Sequence, residues 1–203
     1  MNFKEIKNEA KEALVGNRLM YFLALLVVGA IVGAASGACG LGVILMPIFM
    51  IGIFIFGKEL IKNKKFEFNN VFVGFKDLNH ALKAIGVHLL TLLIISLGLI
   101  LFIVPGIIFA LQYSQAIFIL TENKEMTVGE AMKESKRIMD GHKIEFFLFN
   151  LSFILHFLLV AITFGFYYIY FGPYYSLAKI NYYLHLTNQN VVKGVSKTLE
   201  LDY

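Results

Sequence analysis

Three long stretches of the chain contain no charged side chain, and they constrain its fold more than any other feature. These stretches are residues 19–57, 84–121 and 146–178, and each runs 33 to 39 residues. One membrane helix needs about 20 apolar residues, so each stretch is long enough for two. Glycine, or glycine with proline, interrupts each stretch near its middle. The pattern therefore predicts three transmembrane hairpins.

The composition supports an integral membrane protein. Hydrophobic residues make up 58% of the 203-residue chain and charged residues only 16%, whereas soluble domains carry about 25% charged residues. Six spans would use about 120 residues, which leaves room for short connectors only. We therefore expect an all-α fold with six transmembrane helices, arranged as a single membrane domain over residues 1–203.

The connectors between the hairpins carry their own helix signals. Apolar residues at helical spacing predict amphipathic helices on the cytoplasmic side of the membrane. Thr127 and Glu130 fit a capping box, which predicts where the last of these helices begins. The amphipathic helices are predicted over 2–15, about 69–83 and about 128–140. The spans are predicted over about 18–36, 41–61, 84–103, 107–121, 143–163 and 166–186, with outer turns at 36–42, 104–106 and 163–165.

The positive charges predict the orientation. All 18 Lys and Arg residues fall in four segments, 4–18, 58–83, 124–143 and 179–197, and the predicted outer turns carry none. Cytoplasmic loops carry the excess of positive charge in membrane proteins. We therefore expect a multi-pass protein of the cell membrane with a cytoplasmic N-terminus and C-terminus. The basic residues form no dense cluster, so they do not predict a nucleic-acid partner.

The sequence shows no set of residues suited to catalysis. No Asp or Glu lies within the three uncharged stretches, so they hold no carboxylate pair for acid–base chemistry. The single cysteine and the spacing of the five histidines do not fit a metal site. We therefore predict a protein that is not an enzyme and has no cofactor or bound metal.

Polar residues inside the predicted fourth and fifth spans form one candidate site. Such residues cost free energy in lipid, so each needs an explanation. They could make interhelical hydrogen bonds of roughly 1 kcal/mol each, or they could line a polar path or ligand pocket among spans four to six. The residues of this predicted seam are Gln112, Tyr113, Gln115, Asn150, Ser152 and His156.

Two further surfaces are candidate contact sites. The predicted helix 128–140 and the residues after it carry outward charges that suit either a solvated face or anionic lipid headgroups. Its basic residues are Lys133, Lys136, Arg137 and Lys143. The first span carries small residues four apart, which allow close helix packing against another span or a second copy of the chain. These residues are Gly29, Gly33 and Gly37.

The segment 105–153 contains the patterns P-G-I-x-x-A-x-x-Y-S, E-A-x-x-x-S, M-x-G-x-K and L-S-F. This sequence resembles an uncharacterised family of Gram-positive polytopic membrane proteins, the domain of unknown function 975. His156 stands close to where that family's pattern leads us to expect Trp. The resemblance implies a polytopic membrane protein and no established reaction.

We therefore predict a non-catalytic binding or accessory protein of the membrane. It would contact membrane lipids, another membrane protein or a second copy of itself, in envelope homeostasis or in tolerance to membrane-active peptides. The alternative is a small transporter or channel that uses the polar seam.

Overall fold

The computed structural model describes residues 1–63 and 67–201, and for residues 38, 39, 63 and 189–201 it describes the backbone only. Within this part the chain forms α-helices and one 3₁₀ segment, and no strand. The helices are α1 (Phe3–Ala13), α2 (Arg18–Cys39), α3 (Gly42–Asn63), α4 (Leu78–Leu101), α5 (Ile103–Gln112), α6 (Ala116–Glu122), α7 (Val128–Ile138), α8 (Lys143–Leu151), α9 (Ile154–Ile162) and α10 (Tyr168–Leu201).

Five stretches of helix among the described residues are long and apolar enough to cross a membrane. They are Arg18–Gly37, Gly42–Lys62, Leu78–Leu101, Ile103–Glu122 and Lys143–Ile162. These five overlap the first five predicted spans. The predicted sixth span, 166–186, falls in the first part of α10 and remains a prediction.

Two hairpins show how the long stretches fold back on themselves. The chain turns between α2 and α3 at Gly40, whose positive φ of 70° suits glycine. Between α4 and α5 the turn lies at Phe102, which is extended, so the predicted turn at 104–106 is wrong. Pro105 instead lies in the first turn of α5, where a helix needs no N–H donor from it.

The predicted fourth and fifth spans are each built from two helices rather than one. The first break separates α5 from α6, and the second separates α8 from α9. Ser114 donates its hydroxyl to the carbonyl of Leu111 at 2.8 Å, and Ser152 donates to the carbonyl of Phe149 at 2.5 Å. Serine hydroxyls of this kind compete with the backbone for helical carbonyls. The spans predicted over about 107–121 and 143–163 each overlap a stretch long and apolar enough to cross a membrane, and each contains a break that the sequence prediction did not include.

The connector before α4 also differs from its prediction. Instead of one helix over 69–83, a 3₁₀ segment spans Phe68–Phe75, and α4 begins after Asp77, whose side chain accepts a backbone N–H of the first turn at 3.1 Å. The 3₁₀ segment lies directly against the backbone of α3. A Cβ atom placed on Gly52 would lie 1.9 Å from the carbonyl oxygen of Val71. This close contact between backbones fixes the local shape.

Helix α1 packs on the protein itself. Its apolar residues Ile6 and Ala10 are fully buried, and the side chain of Asn181 in α10 donates a hydrogen bond to the carbonyl of Ile6 at 3.1 Å. The apolar face is therefore covered by the chain's own helices. At α7 the predicted capping box of Thr127 and Glu130 is confirmed, with both of its hydrogen bonds present.

Candidate functional site

Basic and aromatic side chains gather where α1 and the start of α2 meet α8, α9 and α10. We call this group the basic–aromatic cluster. It consists of Lys7, Lys11, Arg18, Ser152, Phe153, His156, Tyr170 and Tyr174.

Lys7 lies at the centre of the cluster. Its ammonium donates a hydrogen bond to the hydroxyl of Ser152 at 2.6 Å and lies 4.3 Å from the ring centroid of Phe153. A cation at this distance is attracted by the negative face of the ring. Burial, and then the positive charge of Lys11, lower the pKa of Lys7. The protein therefore holds the charged form of Lys7 in surroundings that disfavour it.

The other two cations repeat the same arrangement. The ammonium of Lys11 lies 5.3 Å from the ring centroid of Tyr174. The guanidinium carbon of Arg18 lies 3.9 Å from the ring centroid of Tyr170. Each cation thus contacts an aromatic ring, and together they place three positive charges along one surface.

No carboxylate neutralises these charges. Within the described part of the chain, none of the three cations forms an ion pair. Lys7 and Lys11 are four residues apart on α1, and no acidic residue lies three or four positions from either. Glu9 instead accepts a hydrogen bond from Asn181 at 2.7 Å and lies 2.7 Å from a ring nitrogen of His185. The cluster therefore keeps a net positive charge.

His156 adds an unsatisfied polar group. Its ring stacks on Phe171 with the centroids 5.0 Å apart. Its Nδ1 atom is buried, and no hydrogen-bond partner occurs among the residues that the structure covers. Buried polar atoms without a partner are rare in proteins. The cluster therefore contains a ring nitrogen whose hydrogen-bonding capacity the described residues do not use.

The cluster borders a large exposed apolar surface. Leu155 is 70% exposed and Tyr170 is 52% exposed. Such a surface on a helix of membrane-spanning length suits contact with lipid.

Comparison with known proteins identifies the family. A family model described as "Protein of unknown function (DUF975)" matches residues 89–190. The chain belongs to this family. The resemblance predicted from residues 105–153 is thereby confirmed. No curated protein and no solved structure matches the chain.

The DUF975 match covers only part of the basic–aromatic cluster. The residues from α8, α9 and α10 lie within it, whereas Lys7, Lys11 and Arg18 lie before its first residue. Sequence reasoning did not single out these three cations either. The sequence did carry one signal of these cations. Two lysines lie four residues apart on α1, and no acidic residue lies three or four positions from either.

The predicted polar seam of this DUF975 protein divides into two groups. In the first, the backbone carbonyl of Gln112 accepts the hydroxyl of Ser135 in α7 at 2.8 Å. Gln115 donates its amide to Ser114 at 3.0 Å, and Tyr113 between them is partly buried in the core. The first of these bonds joins α5 to α7, and the second lies within the break between α5 and α6.

The second group faces α1 and α10. Asn150 accepts the hydroxyl of Tyr175 at 2.9 Å and donates to the carbonyl of Phe146 at 2.7 Å. Ser152 and His156 belong to the basic–aromatic cluster. The structure therefore brings Asn150 and His156 against α10 and Ser152 against α1, whereas Gln112 contacts α7.

The predicted basic face on and after α7 carries charges of both signs. Arg137 pairs with Glu134 at 2.6 Å, and this hydrogen bond lowers the pKa of Glu134. Lys143 pairs with Asp140 at 3.3 Å. The remaining two basic residues, Lys133 and Lys136, are exposed. Paired charges attract anionic headgroups less than the unpaired cations of the basic–aromatic cluster.

The small residues of α2 face outward. A Cβ atom added at Gly29, Gly33 or Gly37 would meet no other atom within 4 Å. These three glycines therefore make no close contact with another span of the described chain, and α2 packs instead through the face that carries Tyr21 and Ala24. Contact with a second copy remains a prediction. Among the described residues, no group of three or more His, Cys, Asp or Glu side chains could hold a metal ion.

Proposed function

We propose that this DUF975 protein is a non-catalytic accessory protein of the cell membrane that binds anionic phospholipid headgroups through its basic–aromatic cluster. It crosses the membrane six times as three hairpins, with α10 supplying the sixth span. Both ends of the chain and the amphipathic helices lie on the cytoplasmic side.

Contacts at one end of the helix bundle support this topology. Lys58 at the end of α3 forms an ion pair with Glu122 at the end of α6, and Tyr183 in α10 donates its hydroxyl to the same carboxylate at 2.8 Å. Lys83, near the start of α4, donates to the carbonyl of Lys124 at 2.7 Å. Charged residues near the ends of three helices thus meet beside α10, and the excess of positive charge favours the cytoplasm for that end.

One observation carries the proposed binding function. Three cations without a carboxylate partner meet at an exposed apolar surface. Ser152, which accepts the hydrogen bond of Lys7, lies nine residues after Lys143, or about 14 Å along a helix. A lipid in the membrane beside these helices can therefore present its anionic headgroup to this position. Phosphate oxygens accept hydrogen bonds from both ammonium and guanidinium groups.

The proposal is tested by native mass spectrometry of the purified protein titrated with phosphatidylglycerol or phosphatidylcholine. Each basic residue near a membrane surface contributes about 1 kcal/mol to attraction of anionic lipid. Three cations therefore predict a preference for phosphatidylglycerol of about 3 kcal/mol, or about 150-fold. The triple variant Lys7→Gln, Lys11→Gln, Arg18→Gln should lose most of that preference.

A matched control removes the same number of positive charges from α7. The variant Lys133→Gln, Lys136→Gln, Arg137→Gln should keep the preference. If both triple variants lose it equally, net charge rather than the basic–aromatic cluster explains binding, and the proposal fails. The alternative of a transporter or channel stays a prediction, which solute flux into liposomes that contain the protein would test.

A further inference from the structure

A second site lies on the opposite side of α10. A cavity of about 240 Å³ opens between α2, α3, α6 and α10. Its walls are apolar along most of their length, and its charged lining residue is Lys179. The apolar lining includes Leu25, Met46, Met50, Ile53 and Phe118.

Lys179 brings an unneutralised charge to this apolar cavity. Over the part of the chain that the structure describes, its ammonium has neither a hydrogen-bond acceptor nor an ion-pair partner. The ammonium lies 5.6 Å from the ring centroid of Tyr175. Because Tyr175 is one turn nearer the start of α10, the lysine side chain runs back along the helix. It therefore points away from the charged end of the bundle where Lys58 meets Glu122.

The hydroxyl groups of Ser176 and Tyr175 in the cavity lining already have partners. The hydroxyls of Tyr21 and Ser176 lie 3.0 Å apart and share a hydrogen bond. Tyr175 donates its hydroxyl to Asn150 at 2.9 Å. A charge in apolar surroundings costs free energy unless it is paired. The cavity thus lacks one anionic group, and the residues that the structure describes supply none there.

The size and charge of the cavity identify the ligand class. Pockets for drug-sized ligands usually measure about 300–1,000 Å³, so a cavity of about 240 Å³ suits one acyl chain better than a two-chain lipid. One ammonium neutralises one carboxylate. Met46 and Met50 provide flexible side chains that adapt to an unbranched chain. We propose that the cavity binds a long-chain fatty acid, with its carboxylate on Lys179 and its chain between α2 and α3.

This site is separate from the basic–aromatic cluster. With 100° between successive residues of a helix, positions 168, 172, 175 and 179 of α10 share one face. Positions 170 and 174, which belong to the cluster, share the opposite face. A substitution in one site should therefore leave ligand binding at the other site unchanged.

The experiment uses the full chain in phosphatidylcholine nanodiscs, titrated with palmitate labelled with ¹³C at its carboxyl carbon and followed by NMR. We expect one palmitate per chain. Lys179→Met keeps an unbranched side chain and removes the charge, so it should weaken binding about 10- to 150-fold, the range expected for a hydrogen bond to a charged group. Lys76→Met, the same change at an exposed position, should leave binding unchanged.

Three further measurements complete the test. Since Lys179→Met removes an unpaired charge, its melting temperature without palmitate should equal or exceed that of the wild type, which excludes misfolding as the cause. The triple variant of the basic–aromatic cluster should bind palmitate normally. The methyl ester of palmitate should bind the wild type as weakly as palmitate binds Lys179→Met. The proposal is overturned if Lys179→Met binds palmitate like the wild type, if the ester binds as tightly as the acid, or if phosphatidylglycerol displaces palmitate with equal affinity.

Discussion

Asn181 anchors α1 to α10, and replacing it with leucine measures what that anchor contributes. Asn181 is 2% exposed. Its side-chain amide donates to the carbonyl of Ile6 at 3.1 Å and to the carboxylate of Glu9 at 2.7 Å. Leucine has a similar volume and no donor. The substitution therefore removes both hydrogen bonds without opening a large cavity.

The magnitude follows from the two acceptors. A hydrogen bond to a charged group contributes about 1.5–3 kcal/mol and one between neutral groups about 0.5–1.5 kcal/mol. Asn181→Leu should therefore lower the free energy of detaching α1 by about 2–4.5 kcal/mol, which raises the detached population about 30- to 1,500-fold. His185 still contacts Glu9 at 2.7 Å in the variant, so we expect a value near the lower end.

Limited tryptic digestion in detergent provides the assay, because a detached α1 exposes the bonds after Lys7 and Lys11 to the protease. The cleavage rate should rise with the detached population. Asn79→Leu, at an exposed position of α4, is the matched control and should digest like the wild type. If Asn181→Leu also digests at the wild-type rate, these hydrogen bonds do not hold α1 and the reasoning is refuted.

Three more predictions concern charge, packing and capping. Because the pKa of Lys7 is lowered in the folded state, the protonated lysine destabilises the fold fully at pH values below its folded pKa, and this cost disappears above the unfolded pKa of about 10.4. A bound anion raises the pKa of Lys7 again. Phosphatidylglycerol, but not phosphatidylcholine, should therefore slow acylation of Lys7 by acetic anhydride at alkaline pH. Gly52→Ala would place a Cβ atom 1.9 Å from a backbone oxygen and should cost about 1–3 kcal/mol of unfolding free energy, whereas Gly29→Ala, in open space, should leave the melting temperature nearly unchanged. Thr127→Ala removes the capping box of α7 and should cost about 1 kcal/mol, seen as faster amide exchange confined to that helix; uniform exchange across the chain would contradict it.

Local signals predicted several parts of the fold. The capping box at Thr127 and Glu130 fixed the start of α7, and Gly141, with a φ of 75°, follows the helix predicted over about 128–140. The uncharged stretches predicted long apolar helices, and five of them occur among the described residues. Each of these features depends on neighbours a few residues away, which a sequence displays directly.

Features that depend on distant contacts were not predictable in the same way. The 3₁₀ segment takes its shape from the backbone of α3 at Gly52, and no residue within the segment signals that contact. The cations of α1 became a candidate site only once Lys7 was seen beside Ser152, 145 residues later in the chain. Serine hydroxyls at the two span breaks look in the sequence like ordinary residues of a membrane helix.

The contacts of α1 also set an order of assembly. The hydrogen bond between Ile6 and Asn181 spans 175 residues and the contact between Glu9 and His185 spans 176. At about 5–20 residues per second of synthesis, α1 waits roughly 10 to 35 seconds before its partner helix is made. During that interval the apolar face around Ile6 lacks its final protein cover, and we expect it to rest on the membrane surface. The amphipathic pattern of α1 thus suits two successive environments, first a bilayer and then the finished bundle.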